Sequence, residues 1–284
     1  MVLKSCGKIN VGLKIINERE DGYHNIETIF YPVNIFDEID FQLSKSSKGF
    51  NSLHLKSDKS YIPPDKSNTC YKAITNFFKL FLIKDCFDIF VNIRKNIPVG
   101  GGLGGGSSDA ASIIKALTRY FNINISENRN EIMKVALSVG SDVPFFLISK
   151  PCFAAGRGDI LKLLPEFKLN YRILLVNPNL HISTKWAYEN YILNNSISNV
   201  SPLKDITKFD LSEYNFENDF EEVVFKKYPE LKEIKDTMKN NGAIYSSLSG
   251  SGATMFGFYN FSDEKNLSAC YKKFKELNYF TYIS

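Results

Sequence analysis

The sequence predicts an α+β protein of two modest domains. Three observations carry this. Strand-like alternation fills the early part of the chain, helical spacing appears later, and the two mix without the regular βαβ order of a doubly wound sheet. Size sets the number of domains: 284 residues is long for one core and comfortable for two. The division is expected near residue 155, giving domains 1–155 and 156–284.

Each element follows from its pattern. Ile9, Val11, Leu13 and Ile15 alternate with Lys8, Asn10, Gly12 and Lys14, which reads as a half-buried strand. A turn over 17–22 leads to apolar runs at 26–33, 37–43 and 52–55, each a strand candidate. Pro63-Pro64 marks a loop, and Asn68 suits the N-cap of a helix running to about Phe81. A strand over 86–94 is ended by Pro98 and the six glycines of 100–106. Ala110, Ile113, Ile114, Leu117, Tyr120 and Phe121 then share one helical face, with Ser107 or Ser108 as the expected N-cap. A second helix covers about 127–138. Later come a strand at 171–176, helices around 184–193 and 229–240, and a glycine-serine loop at 246–252 between strand candidates. A helix and a short strand close the chain, and the weak pattern over 194–216 receives no element.

Composition narrows the function. With 44% hydrophobic and 23% charged residues the chain is ordinary globular protein, not a disordered one. A net charge of +4, spread along the chain, permits anionic ligands without the basic stripe of a nucleic-acid binder. Cys6, Cys70, Cys86, Cys152 and Cys270 have neither metal-ligand nor redox spacing, as expected of reduced thiols in a cytoplasmic protein. Leu3-Lys4-Ser5-Cys6 lacks the apolar stretch that precedes a lipoprotein cleavage site, and no apolar run is long enough to span a bilayer.

The chemistry concentrates at 98–108. Pro98 and Val99 precede Gly100, Gly101, Gly102, Leu103, Gly104, Gly105, Gly106, Ser107 and Ser108, between a strand and a helix. Glycines let backbone approach a ligand closely, and the helix start offers unpaired N–H groups and a positive dipole end. Together these suit phosphates, with two serine hydroxyls as further donors. There is no Walker lysine, and the early antiparallel-looking region opposes a dinucleotide fold, although Gly100, Gly102 and Gly105 satisfy its glycine spacing.

The run from Pro98 to Ala111 resembles the phosphate loop of the galactokinase, homoserine kinase, mevalonate kinase and phosphomevalonate kinase superfamily. Lys8-Ile9-Asn10 and the segment from Leu248 to Thr254 match its other motifs. A narrower resemblance is to the 4-diphosphocytidyl-2-C-methyl-D-erythritol kinase family of non-mevalonate isoprenoid synthesis. It rests on Asp21-Gly22-Tyr23-His24 with Thr28 and Phe30, the doubled triple glycine, the segment from Gly140 to Phe146, Ile182-Ser183-Thr184 with Tyr188, and the segment from Asn218 to Glu221. These occur in the expected order along nearly the whole chain. Departures at Gly7, Val11, Asn17 and Asp159 remove no group expected in catalysis.

The resemblance implies a two-domain kinase with its active site in the interdomain cleft, using ATP and Mg2+ to phosphorylate the 2-hydroxyl of a small cytidine diphosphate substrate. It makes Asp142 the general base, a role carboxylates suit; from the residues alone, Asp142 before Val143-Pro144 reads equally as a helix N-cap. It places Lys8 beside that aspartate, where a cation would favour the ionised carboxylate. Asn10 is left to bind substrate or to steady Lys8. Tyr23, His24 and Tyr188 are expected to form a cytidine pocket, since aromatic rings stack on pyrimidines. Gly250 and Ser251 are expected in a second loop close to substrate. No carboxylate cluster for magnesium is evident, so its ligands stay unassigned, as does the oligomeric state. Rival readings are another kinase of the superfamily, which would have no base to stack, and a non-catalytic nucleotide sensor, which would not need both Lys8 and Asp142.

Overall fold

Alternation of Ile9, Val11, Leu13 and Ile15 does produce a strand, β1 (Val2–Glu18). Its polar partners are not solvated, however, because Lys8 and Asn10 are buried along with the apolar face. The computed structural model describes residues 1–192 and 203–284. They sort into two compact units. The first holds Met1–Gly7, Ile35–Ile97 and Gly104–Ser149; the second holds Lys8–Asn34, Pro98–Leu103 and Lys150–Ser284. The units are therefore not the two halves of the chain. Residues 8–34 and 98–103 precede 155 yet belong with the later residues.

In the first unit the far end of β2 (His24–Lys45) pairs antiparallel with β4 (Phe87–Arg94), from Glu38 opposite Arg94 to Lys45 opposite Phe87. Strand β3 (Ser52–Ser57) lies parallel to β4. Helices α1 (Thr69–Leu80), α2 (Gly105–Tyr120), α3 (Arg129–Val139) and α4 (Val143–Ile148) complete the unit. Its core includes Phe77, Phe87, Ile114 and Leu117. Phe87 meets Phe78 and Phe121 edge-on, with centroids 5.7 and 5.4 Å apart, a favourable quadrupole arrangement.

In the second unit Thr28, Ile29 and Phe30 of β2 pair with β5 (Cys152–Ala155), which pairs with β6 (Ile160–Leu163). A separate antiparallel sheet is formed by β7 (Arg172–Asn177), β8 (Tyr245–Leu248), β9 (Met255–Tyr259) and β10 (Phe280–Ile283), in the order β10-β7-β9-β8. Helices α5 (Thr184–Glu189), α6 (Phe220–Lys227), α7 (Pro229–Asn240) and α8 (Glu264–Glu276) belong to this unit. Leu231, Ile234 and Met238 of α7 and Leu267, Cys270 and Phe274 of α8 share one core with Leu174, Val176 and Met255 of the sheet. Spacing of i, i+3, i+7 carries each helix's apolar stripe onto that core.

Several expectations are corrected. The runs at 26–33 and 37–43 are one strand. The dip between them falls at Asn34, where the first run leaves one unit and the second enters the other. Neither Ser107 nor Ser108 caps α2; the helix starts earlier, with Gly104 at its N-cap. The helix expected over 127–138 is α3, shifted to Arg129–Val139. The helix expected over 184–193 ends at Glu189, and Leu193 lies outside the described residues. Among the described residues no helix is long and apolar enough to cross a membrane.

Candidate active site

The first unit supplies a helix start and the expected base. Gly104 occupies the N-cap of α2 in the left-handed region (φ 71°), and no side chain caps the helix there. The first-turn N–H groups thus have no side-chain cap, at the positive end of a 16-residue helix dipole. Gly105 has a packing reason to be glycine: a Cβ there would lie 3.0 Å from Ile97 and 3.2 Å from Asp37 Oδ2. Ser108 is buried and Ser107 half-buried. Asp142 stands at the N-cap position of α4 in helical conformation, and its carboxylate makes no capping bond. The reading of Asp142 as the residue that starts a helix is thus borne out in position, without a capping bond from its side chain. The backbone leading to it passes the start of α2, since a Cβ on Gly140 would sit 3.8 Å from Ser107 Oγ.

The second unit interlocks the remaining motifs. Thr254 N–H donates to the carbonyl of Gly101 (3.1 Å), and Lys8 N–H to that of Leu103 (3.0 Å). Ser249 Oγ donates to the carbonyl of Gly102 at 2.9 Å and accepts from the Asn10 N–H at 3.3 Å. Gly102 (φ +78) admits no side chain, because a Cβ there would run into the carbonyl oxygen of Ser249. Asn218 Nδ2 donates to the carbonyls of Leu248 (2.7 Å) and Gly250 (2.8 Å), fixing the glycine-serine loop from below. Lys8 donates from Nζ to Asn10 Oδ1, and its ammonium lies 5.1 Å from the Phe30 ring centroid. Asn10 Nδ2 donates to Thr28 Oγ1 (3.1 Å), whose own hydroxyl donates to the carbonyl of Gly12 (2.5 Å). Both of these bonds of the Asn10 side chain are thus internal, one to Lys8 and one to Thr28.

Of the three rings expected around a base, two lie together. His24 and Tyr188 stack on each other, with centroids 4.7 Å apart and planes at 19°. Tyr188 is backed edge-on by Phe220 at 4.8 Å. Helix α5, which carries Tyr188, meets the glycine-serine loop at its other end, where Thr184 Oγ1 and Ser251 Oγ are 2.9 Å apart. Tyr23 is exposed, and its ring is covered by the Arg157 guanidinium, 4.7 Å from the centroid. It makes a cation–π pair in place of joining the His24–Tyr188 stack.

Among the described residues no cluster of three His, Cys, Asp or Glu side chains could hold a metal ion. All five cysteines are unpaired. Burial pushes the Cys70 thiol well up and the Cys152 thiol up to about 11, so neither supplies a thiolate nucleophile. Sequence reasoning passed over two participants. Ser249, which ties Asn10 to Gly102, was visible only as part of a motif. The His181 ring lies against Gly100, where a Cβ would strike its Nδ1, and no sequence signal distinguishes this exposed histidine.

Comparison with known proteins gives the class first. A family model described as GHMP kinases N terminal domain matches residues 68–150, and one described as GHMP kinases C terminal matches 203–277. Fold and loop are those of a GHMP kinase. Two relatives named 4-diphosphocytidyl-2-C-methyl-D-erythritol kinase, from Chlorobium chlorochromatii and Prosthecochloris aestuarii, are 36% and 38% identical. The matches cover 91% and 95% of this chain and 88% and 94% of theirs. A crystal structure of 4-(cytidine 5'-diphospho)-2C-methyl-D-erythritol kinase superposes with a TM-score of 0.79 at 26% identity, covering 100% of this chain and 98% of the other. A mevalonate kinase structure, with a TM-score of 0.66 and 17% identity, shares the fold. The chain belongs to the 4-diphosphocytidyl-2-C-methyl-D-erythritol kinase family of GHMP kinases.

Proposed function

We propose that this kinase transfers the γ-phosphoryl group of ATP to the 2-hydroxyl of 4-diphosphocytidyl-2-C-methyl-D-erythritol, giving the 2-phosphate and ADP. The observation that carries the reading is the path of the backbone before Asp142 past the uncapped start of α2. One unit thereby offers both a phosphate-binding helix terminus and a carboxylate suited to proton removal.

Asp142 takes the proton of the 2-hydroxyl as the new P–O bond forms. The bond between the γ-phosphorus and the β,γ-bridging oxygen breaks, and ADP leaves with that electron pair. N–H groups of Gly105 and Gly106, with Ser107 and Ser108, hold the phosphates, and the backbone of Pro98, Gly100, Gly101, Gly102, Leu103 and Gly104 brings them there. Lys8, oriented by Asn10, offsets negative charge developing at the acceptor oxygen. The stacked His24 and Tyr188 rings offer the cytosine an aromatic face, whereas Tyr23, engaged by Arg157, is not part of that stack. Gly250 and Ser251 line the acceptor's path. Mg2+ arrives with ATP as part of the nucleotide substrate. Ser108 or the phosphates themselves would supply most of its contacts, and the ion would offset the charge on the transferred group. The protein works in the cytoplasm on small molecules, without nucleic acid or membrane.

The test is ADP release with MgATP, comparing the diphosphocytidyl alcohol against mevalonate, homoserine and galactose. Turnover confined to the cytidine compound is expected; turnover with another acceptor would overturn the pocket assignment. Asp142→Asn is expected to lower kcat by about three orders of magnitude while leaving MgATP affinity within about twofold. Near-normal turnover of that variant would remove Asp142 from the mechanism.

A further inference from the structure

A buried ionic cluster lies in the first unit, made of groups given no part in the proposed reaction. Lys95 Nζ donates to Asp109 Oδ2 at 2.7 Å and to Asp37 Oδ2. Lys95, Asp37 and Asp109 are almost wholly excluded from solvent. Asp37 Oδ1 accepts two backbone N–H groups, from Asn96 at 2.7 Å and Ile97 at 2.8 Å. Asp109 Oδ1 has no hydrogen-bond partner. Two carboxylates share one ammonium, an arrangement that folding stability alone does not favour, since apolar side chains of similar volume commonly serve at least as well.

The positions of these groups in the chain explain the arrangement. Asn96 and Ile97 are the residues immediately before Pro98, and Asp109 is the residue immediately after Ser108. Both ends of the glycine loop are thus tied to one buried cluster, the entry through Asp37 and the exit through the Lys95–Asp109 bond. A run with six glycines has many backbone conformations to lose, and fixing the separation of its ends removes a large share of them.

We infer that Lys95, Asp37 and Asp109 form a clasp that sets the span of the phosphate loop, with Lys95 and Asp109 as positioning residues for ATP. The inference rests on the reading of 98–108 as the ATP phosphate site. Asp37 holds the entry by its backbone bonds whatever happens at the exit. Within the cluster the exit is held through Asp109, with Lys8 N–H on the Leu103 carbonyl and Thr69 Oγ1 on the Gly106 carbonyl as its other ties, which makes Asp109 the informative position of the three.

Asp109→Ala opens the clasp and leaves a neutral Lys95–Asp37 pair, so the variant is expected to fold. Its KM for MgATP should rise about tenfold, while the KM for the alcohol substrate stays within about twofold. Asp109→Asn, whose carbonyl oxygen still accepts from Lys95, should recover most of the loss. A cluster that serves only stability would shift both KM values together or neither, and would move the melting temperature without the split. Unchanged MgATP KM in Asp109→Ala, or failure of Asp109→Asn to recover it, would overturn the clasp. Equilibrium MgATP binding to the unmodified protein is measured alongside. If it is absent, the phosphate-site reading fails and the clasp with it; if it is present and equal in Asp109→Ala, only the clasp fails.

Discussion

At the scale of single residues, Asn10 shows how a polar group in a strand earns burial. Its amide accepts from Lys8 and donates to Thr28, and its backbone N–H reaches Ser249. Asn10→Ala removes both side-chain bonds and leaves a buried ammonium less well held. Turnover should fall about tenfold or more, with KM for either substrate changed less than about threefold, as steady-state kinetics would show. A selective rise in the KM of the alcohol substrate would instead make Asn10 a substrate ligand. Gly102→Ala tests the close approach of the two loops. Its positive φ and the carbonyl of Ser249 both oppose a methyl group, so unfolding free energy should drop by about 2 kcal/mol or more, measured by denaturant titration.

At the scale of elements, the helix starts repay comparison. Asn68 caps α1 by accepting from the Cys70 N–H at 2.8 Å, as the sequence predicted. Asn68→Ala should cost about 1 kcal/mol in thermal or chemical denaturation, the ordinary loss of a cap. The start of α2 was misread because Ser107 and Ser108 look like caps and Gly105 and Gly106 look like helix breakers. Tertiary packing reverses both preferences. Gly105 is in the helix because Ile97 and Asp37 leave no room for a side chain, and Gly106 follows with its carbonyl accepting from Thr69 Oγ1 at 2.7 Å. Alternation of apolar residues exposed β1 and the individual runs of β2, helical spacing exposed α2, and the cap residue Asn68 exposed α1. Helix α4 was not legible: Val143, Pro144, Phe145 and Phe146 are all buried, so no stripe distinguishes a face. Strands β5 and β6 are four residues each, too short for alternation to register. For the site, the motifs named the phosphate loop, Lys8 and Asp142. The pairing of Tyr23 with Arg157 and the Lys95 cluster were not legible, because they join residues distant in sequence.

At the scale of the whole molecule, the buried cluster couples stability to pH. Burial raises the Asp109 carboxyl from its ordinary 3.8 to about 6, with the charge of Asp37 adding to the rise and Lys95 opposing it. The folded chain therefore holds this proton more tightly than the unfolded one. The stabilisation is complete below about pH 4 and is lost as pH rises through about 6. Relative to the unmodified protein, Asp109→Asn should flatten that segment of the stability curve, as urea midpoints measured from pH 4 to pH 7 would show. Lys95 moves the other way in cause but not in outcome: burial lowers its pKa, and Asp109 and Asp37 more than restore it, leaving it raised. It remains charged throughout that window. The interleaving of the two units has a consequence for synthesis on the ribosome. All residues of the first unit lie within the first 149, whereas Lys8–Asn34 emerge long before the Lys150–Ser284 partners that complete the second. Until translation reaches those partners, Leu13, Ile15 and Ile26 lack the core that finally covers them. The nascent chain thus passes through a stage with an uncovered apolar ribbon beside a unit able to close, the kind of intermediate that recruits chaperones and is prone to aggregate.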